Sequence, residues 1–175
     1  MSLTAQYRSL LRSVDSYSRL LEQLSEAEFQ RSPAEGTWSY AEVYSHIFQS
    51  NLLSVIAAEK CINGTAESNT KPTNWKVMLI LFFGRLPPGK FKVPQRMATM
   101  VTKITKEEAV KLIVKLQSRL QQLTPSINKS SSSQKAMHPR LGLLNARQWF
   151  RFIQIHTLHH QKQLERISKM LEQTT

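Results

Sequence analysis

The stretch NARQWFRFIQIHTLHHQKQLERISKML, residues 145–171, decides the fold of this 175-residue chain. Its apolar side chains recur every three or four residues, which is the period of an α-helix with one buried face. Asn145 and Gln148 have the spacing of a capping box, so we expect a helix from this point to about Leu171. The apolar stripe includes two histidines and consists of Trp149, Phe152, Ile153, His156, His160, Leu164 and Ile167.

Three more segments carry an apolar helical period, and two of them begin with a capping box of their own. They are residues 7–24, residues 39–61, which begin with Ser39 and Glu42, and residues 105–124, which begin with Thr105 and Glu108. The last of the three is expected to end before Pro125, because proline interrupts a helix. Four long helices with almost no strand pattern predict an all-α four-helix bundle, forming one domain over residues 1–175.

The connections between these helices are predicted to differ in kind. A short extra helical turn is expected at residues 25–28, and a short, very apolar helix at residues 74–84. The segment RLPPGKFKVPQRM, residues 85–97, has three prolines and no period, so it predicts an irregular excursion between helices two and three. The polar tract NKSSSSQK, residues 128–135, is typical of a loop.

The chain is strongly basic, with a net charge of +12, and residues 68–106 contain no acidic side chain. Such a segment can attract small anions, nucleic acid or anionic lipid, or it can form a solvated basic surface that favours solubility. No nucleic-acid-binding motif accompanies it, so nucleic acid is not an expected partner. The candidates for binding an anionic ligand are Arg85, Lys90, Lys92 and Arg96.

The cellular environment is predicted from what the sequence lacks. One cysteine, Cys61, excludes an intramolecular disulfide framework. The longest apolar run, residues 77–83, is too short to cross a bilayer, and we see no secretory signal. We therefore expect a cytoplasmic protein without membrane association.

Histidines on the apolar stripe are the candidate functional residues. His156 and His160 are four residues apart, so their side chains lie above one another on one helix face, whereas His159 is rotated by about 100°. His46 lies beside the small Ser50 on the second long helix, where it could supply a third ligand. Three neutral imidazoles suit Zn, Ni or Fe. Hydrogen-bonded core histidines have the same spacing, so the pattern alone leaves both interpretations open.

Two segments resemble one family in the family's own order. GTWSYAEVYSHI, residues 36–47, and HPRLGLLNARQWFRFIQIHTLHHQKQL, residues 138–164, resemble the second and last helices of the DinB/YfiT-like superfamily. The resemblance implies a four-helix bundle with one divalent metal, whose ligands here would be His46, His156 and His160. Gln163 stands where the family often has a glutamine, as a packing or supporting residue.

The resemblance implies a range of functions. Relatives include S-transferases that use bacterial low-molecular-weight thiols, a thiol-dependent isomerase and proteins named as hydrolases. We therefore expect a metal-dependent enzyme of the thiol S-transferase or hydrolase type, acting on a small-molecule substrate. The alternative is a non-catalytic, metal-stabilised module that binds anionic ligands or nucleic acid. The apolar residues 77–83 and the aromatic residues of the first and last helices further predict a homodimer, since exposed apolar patches tend to be interaction sites. The alternative is that residues 77–83 cover the open end of the bundle.

Overall fold

The computed structural model describes residues 2–86 and 101–173, and six helices and three strands lie within these ranges. The helices are α1 (Leu3–Gln23), α2 (Glu26–Gln30), α3 (Tyr40–Ile62), α4 (Trp75–Phe83), α5 (Lys106–Ile127) and α6 (Ala146–Glu172). The strands are β1 (Glu67–Ser68), β2 (Gln134–His138) and β3 (Gly142–Asn145). The predicted excursion lies outside the described residues from position 87 onward, and so do Lys90, Lys92 and Arg96.

The four long helices form the predicted bundle. α3 packs against both α5 and α6, and α1 packs against the same two helices, so α1 and α3 occupy opposite corners. Aromatic rings meet in the centre, where Tyr17 of α1 contacts Tyr44 and Phe48 of α3 with ring centroids 5.4 Å apart in each pair. The Tyr17 hydroxyl also donates to the carbonyl oxygen of Thr157 on α6, at 2.8 Å. One core therefore links α1, α3 and α6.

Four helices begin as the sequence predicts. The side chain of each N-cap residue accepts a hydrogen bond from the backbone N–H of the third helical residue, and the side-chain oxygen of that third residue accepts one from the backbone N–H of the N-cap residue. These reciprocal pairs are Ser25 with Glu28, Ser39 with Glu42, Thr105 with Glu108, and Asn145 with Gln148. The box at Ser39 fixes where α3 begins, and with it the face on which His46 lies.

The prediction that the third long helix ends before Pro125 is wrong, because α5 continues to Ile127. Proline removes the hydrogen bond to the carbonyl of Gln121, but Gln121 is exposed and water can replace that bond. Leu123 and Ile127 are both buried on the core-facing stripe. Their burial stabilises the last turn by more than the lost bond costs.

A small antiparallel sheet, with strand order β1-β2-β3, covers one end of the bundle. The polar tract was predicted as a loop through residue 135, but β2 already begins at Gln134. Lys135 pairs with Glu67 of β1 on one side and with Asn145 of β3 on the other. Its side chain is buried, and its ammonium group donates to the carbonyl oxygen of Lys71.

The short helix α4 lies against the N-terminal half of α6. The Arg151 guanidinium of α6 donates to the carbonyl oxygen of Leu81 at 2.8 Å, near the C-terminal end of α4. Gly84 ends this helix with a φ of 67°, a conformation that glycine adopts without strain. Trp75, Phe82 and Phe83 remain exposed on its outer face. Among the described helices, none has both the length and the apolar composition that a membrane span requires.

Candidate metal centre

Three histidine side chains from two helices meet between α3 and α6. Each of His46, His156 and His160 offers one ring nitrogen, and these three atoms lie within 4.8 Å of one another. The ring centroids are 4.8 Å apart for His46 and His160, and 5.3 Å apart for His46 and His156. The structure therefore brings together the three residues that the sequence singled out.

Helix geometry explains the convergence. His156 and His160 are one turn apart on α6, and their Nε2 atoms are 3.1 Å apart. His46 lies in the second turn of α3. The packing between α3 and α6 is more extensive than that between any other described pair of elements. The small Ser50 follows one turn later on α3. Because the two helices are firmly packed, the three imidazoles need no large rearrangement to share an ion.

Burial keeps the three imidazoles neutral. Removal from water, and after it the charge of nearby His159, lowers the pKa of His46 to about 4. Burial, followed by the charge of His46, lowers the pKa of His160 to about 3. The pKa of His156 is lowered well below its ordinary value, mainly by burial and then by its histidine neighbours. Neutral imidazole is the form that binds a metal, so the cluster is in its ligating form at neutral pH.

Amide oxygens face the outer nitrogens of the two α6 histidines. His156 Nδ1 lies 3.1 Å from Asn51 Oδ1, and His160 Nδ1 lies 2.7 Å from Gln163 Oε1. An Nδ1–H that donates to such an oxygen leaves the Nε2 lone pair free for an ion. Gln163 thus occupies the supporting position that the family resemblance implies, and Asn51 is a contact that the sequence analysis missed.

A signal for Asn51 is present in the sequence in retrospect. It stands in the middle of α3, between the buried Phe48 and Ser54, and it is fully buried itself. Asparagine is unfavourable inside a helix and costly to bury without a partner. A buried mid-helix asparagine near His46 indicates a specific hydrogen bond. The packing of α3 against α6 identifies His156 as its partner.

Aromatic side chains flank the cluster. Phe152 stacks on His156, with ring centroids 5.2 Å apart and planes 17° apart. Trp38, which precedes the capping box of α3, has its ring centroid 5.2 Å from that of His46. Both rings reduce the access of water to the imidazoles, which strengthens electrostatic interactions there.

The other two histidines lie beside the cluster and are not part of it. His159 is half-buried, and its ring makes an edge contact with His160, with centroids 5.2 Å apart. His138 ends β2, where its Nδ1 accepts hydrogen bonds from the backbone N–H groups of Arg140 and Leu141. The sequence analysis gave neither residue a ligand role.

The donor set fits a borderline transition ion. Within residues 2–86 and 101–173, this is the single group of three or more His, Cys, Asp or Glu side chains close enough to share a cation. Three nitrogens and no carboxylate match Zn, Ni or Fe better than Mg or Ca, which prefer oxygen. Cys61 is buried, and it lies about 22 Å from His46 along α3 by helical rise. Its thiol donates to the carbonyl oxygen of Leu144. It does not belong to this site.

Comparison with known proteins identifies the family and the fold. The model of the DinB superfamily matches residues 9–164. None of the curated proteins matches the chain significantly. Among solved structures, YfiT from Bacillus subtilis is described as a probable metal-dependent hydrolase with an unusual four-helix bundle topology. Its TM-score is 0.61 at 14% identity, covering 99% of this chain and 90% of YfiT. TT2238, a four-helix bundle protein, has a TM-score of 0.59 at 17% identity, covering 94% of this chain and 98% of its own. The family and the four-helix bundle predicted from the sequence are confirmed.

Proposed function

Because the chain belongs to the DinB superfamily and places three buried imidazoles together, we propose that it is a metal-dependent enzyme. His46, His156 and His160 would hold one divalent transition ion, with Zn, Ni or Fe as the candidates. The observation that carries the proposal is the convergence of three neutral ring nitrogens within 4.8 Å. Two amide oxygens behind the rings support it, since metal-bound histidines almost always donate their second N–H to a hydrogen-bond acceptor.

Three protein ligands are typical of catalytic ions, because a fourth coordination position stays open for water or substrate. An ion held in this way lowers the pKa of a bound water or thiol and so supplies a nucleophile at neutral pH. In this chain the histidines would bind and orient the ion, while Trp38 and Phe152 would limit water around it. The reaction would then be hydrolysis of a small molecule, or transfer of the sulfur-linked group of a low-molecular-weight thiol to a small molecule.

Two features support these reaction types. YfiT, which shares the fold, is described as a probable metal-dependent hydrolase. A low-molecular-weight thiol with carboxylate groups would be attracted by a basic segment of the chain, because residues 68–106 lack acidic side chains and Arg85 is exposed. The alternative is a metal-stabilised binding module without catalysis, which the same histidines would equally support.

Metal analysis of the purified protein and of single variants tests the ligand set. We expect about one ion per chain, and His46→Ala, His156→Ala and His160→Ala to lose most of it. His159→Ala is the matched control, because it removes an imidazole next to the cluster without removing a ligand. Stoichiometric metal in His46→Ala would refute the three-histidine site.

The reaction is tested separately on the metal-loaded protein. Ester and amide substrates should reveal a hydrolase, and electrophilic substrates supplied with cysteine-containing thiols should reveal a transferase. Turnover that disappears in His156→Ala and persists in His159→Ala would support the enzyme. Stoichiometric metal binding without turnover in either panel would favour the binding module.

A further inference from the structure

A chain of hydrogen bonds runs from the backbone of α6, through α3, to His156. The Thr157 hydroxyl donates to the carbonyl oxygen of Ile153 at 2.8 Å. The Asn51 amide nitrogen donates to that hydroxyl oxygen at 2.9 Å. The Asn51 amide oxygen in turn lies 3.1 Å from His156 Nδ1. All three side chains are buried, so water does not compete for these bonds.

The direction of every bond in this chain is fixed by its first member. A carbonyl oxygen can only accept, so the single hydroxyl hydrogen of Thr157 is used on Ile153. The hydroxyl can then only accept from Asn51, and the group of Asn51 that faces it must be the amide nitrogen. The amide oxygen therefore faces His156 and can only accept, which requires the hydrogen of this neutral imidazole to be on Nδ1.

We propose that Asn51 is a positioning residue that, with Thr157, holds His156 in the Nδ1–H tautomer and directs its Nε2 lone pair towards the ion. The role in metal binding rests on the metal site proposed above. The tautomer of His156 does not depend on a metal, because hydrogen bonds within the protein determine it. An imidazole with its hydrogen on Nε2 would have to change tautomer before it could bind an ion through that atom. Asn51 removes this step.

The partner of His160 differs in this respect. Gln163 Oε1 lies 2.7 Å from His160 Nδ1, but Gln163 is only half-buried. Among the described residues, nothing fixes the orientation of its amide in the way that Thr157 fixes that of Asn51. His160 Nδ1 can therefore donate to the amide oxygen or accept from the nitrogen after the amide turns over. In the second case His160 Nε2–H would donate to His156 Nε2, 3.1 Å away. The tautomer of His156 is thus fixed and that of His160 is adjustable.

Nitrogen NMR of the histidine rings measures the tautomers directly. Long-range proton–nitrogen spectra should be recorded at pH 7.5 on chelator-treated protein and on zinc-loaded protein, with ring signals assigned from single histidine variants. We expect His156 to carry its hydrogen on Nδ1 in both samples. A hydrogen on Nε2 of His156 in the chelator-treated wild type would overturn the proposal.

Thr157→Val tests the origin of this tautomer with almost no change of volume, and Thr157→Ser is its matched control. Valine removes the acceptor that orients Asn51, so the ring of His156 should lose its single tautomer and zinc affinity should fall about tenfold to a hundredfold. Serine keeps the hydroxyl and should keep both properties. Wild-type tautomer and wild-type zinc affinity in Thr157→Val would refute the role of the chain.

A second pair of variants keeps the test decisive. Asn51→Asp retains an acceptor towards His156 and should retain the Nδ1–H tautomer, whereas Asn51→Leu should lose it. Thermal unfolding identifies any variant that fails to fold, and Thr157→Val then decides the question. If the wild type binds no zinc, the proposed metal site fails, while the ring spectra of the metal-free protein still decide whether Asn51 fixes the tautomer.

Discussion

Acidification should destabilise the metal-free protein well before its carboxylates titrate. In the unfolded chain a histidine has a pKa of about 6.5. In the folded protein the pKa of His46 is lowered to about 4 and that of His160 to about 3, chiefly by burial. Below pH 6.5 the unfolded chain therefore binds protons that the folded protein does not, so unfolding becomes more favourable. The stability contributed by each neutral imidazole is complete above about pH 6.5 and is lost as the pH falls towards the folded pKa.

The size of the effect follows from the same pKa values. Between pH 7 and pH 5, a histidine whose pKa is lowered to about 4 reduces the free energy of unfolding by about 2 kcal/mol. The value for His160 is similar, because its folded form is also unprotonated throughout this interval. The free energy of unfolding of a typical domain is about 5–15 kcal/mol in total. The loss is therefore large enough to measure reliably.

Urea unfolding of chelator-treated protein at pH 7, 6 and 5 measures this loss. His46→Gln removes one titrating group, so its free energy of unfolding should depend less on pH than that of the wild type, by about 2 kcal/mol over the interval. His159→Gln is the control, because His159 is only half-buried and should contribute less. Equal stability of the wild type at pH 7 and pH 5, or an unchanged pH dependence in His46→Gln, would refute the assignment of buried neutral imidazoles.

Three further results are expected. Chelation should lower the melting temperature, since an ion present at a thousand times its dissociation constant stabilises the folded state by about 4 kcal/mol, or roughly 10 °C for a domain of this size; unchanged melting would contradict a site that ties α3 to α6. Metal content should stay near wild type in His159→Ala, measured by atomic emission, because His159 contacts His160 but is not among the three residues whose ring nitrogens converge; equal loss in all four histidine variants would contradict the helix geometry. Sedimentation at tens of micromolar should show a homodimer that Phe82→Glu weakens, because Phe82 is 78% exposed on α4. The control is Leu53→Glu on α3, where the leucine is 47% exposed, and this variant should remain a dimer. A monomeric wild type would exclude the dimer.

Helix boundaries could be predicted from the sequence because their signals are local. A capping box spans four residues, and those at Ser39, Thr105 and Asn145 place the helix starts correctly. At Pro125 the local rule that proline interrupts a helix gives the wrong boundary, because tertiary packing extends α5 beyond it. The rule concerns one hydrogen bond, whereas the end of α5 is determined by the burial of Leu123 and Ile127, which depends on the other helices.

The small sheet could not be predicted, because its pairing is not local. Glu67 pairs with Lys135 across a large part of the chain, and β1 has only two residues. Strand β2, with the sequence QKAMH, follows a serine-rich tract and lacks a clear alternation of apolar and polar residues. Its lysine is buried because a backbone carbonyl accepts its hydrogen bond, a partner that composition does not reveal.

For the candidate site, the sequence predicted the residues, and the structure added what holds them in place. The i, i+4 spacing of His156 and His160 follows from one helix, so periodicity was sufficient. The contact between Asn51 and His156 depends on how α3 and α6 dock, because the two residues come from different helices. Spacing along one helix cannot reveal such a contact.

The origin of the site residues indicates which parts of the chain can set specificity. The three histidines and Asn51 all come from α3 and α6, and Gln163 also lies on α6. The connections between α3 and α5, and between α5 and α6, contribute none of these side chains. Because the packing of the two helices carries the site, changes in the connections can alter the surroundings of the three histidines while the histidines themselves stay in place. Chemistry common to the family would then reside in the helix pair, and the choice of substrate in segments such as the acid-free residues 68–106.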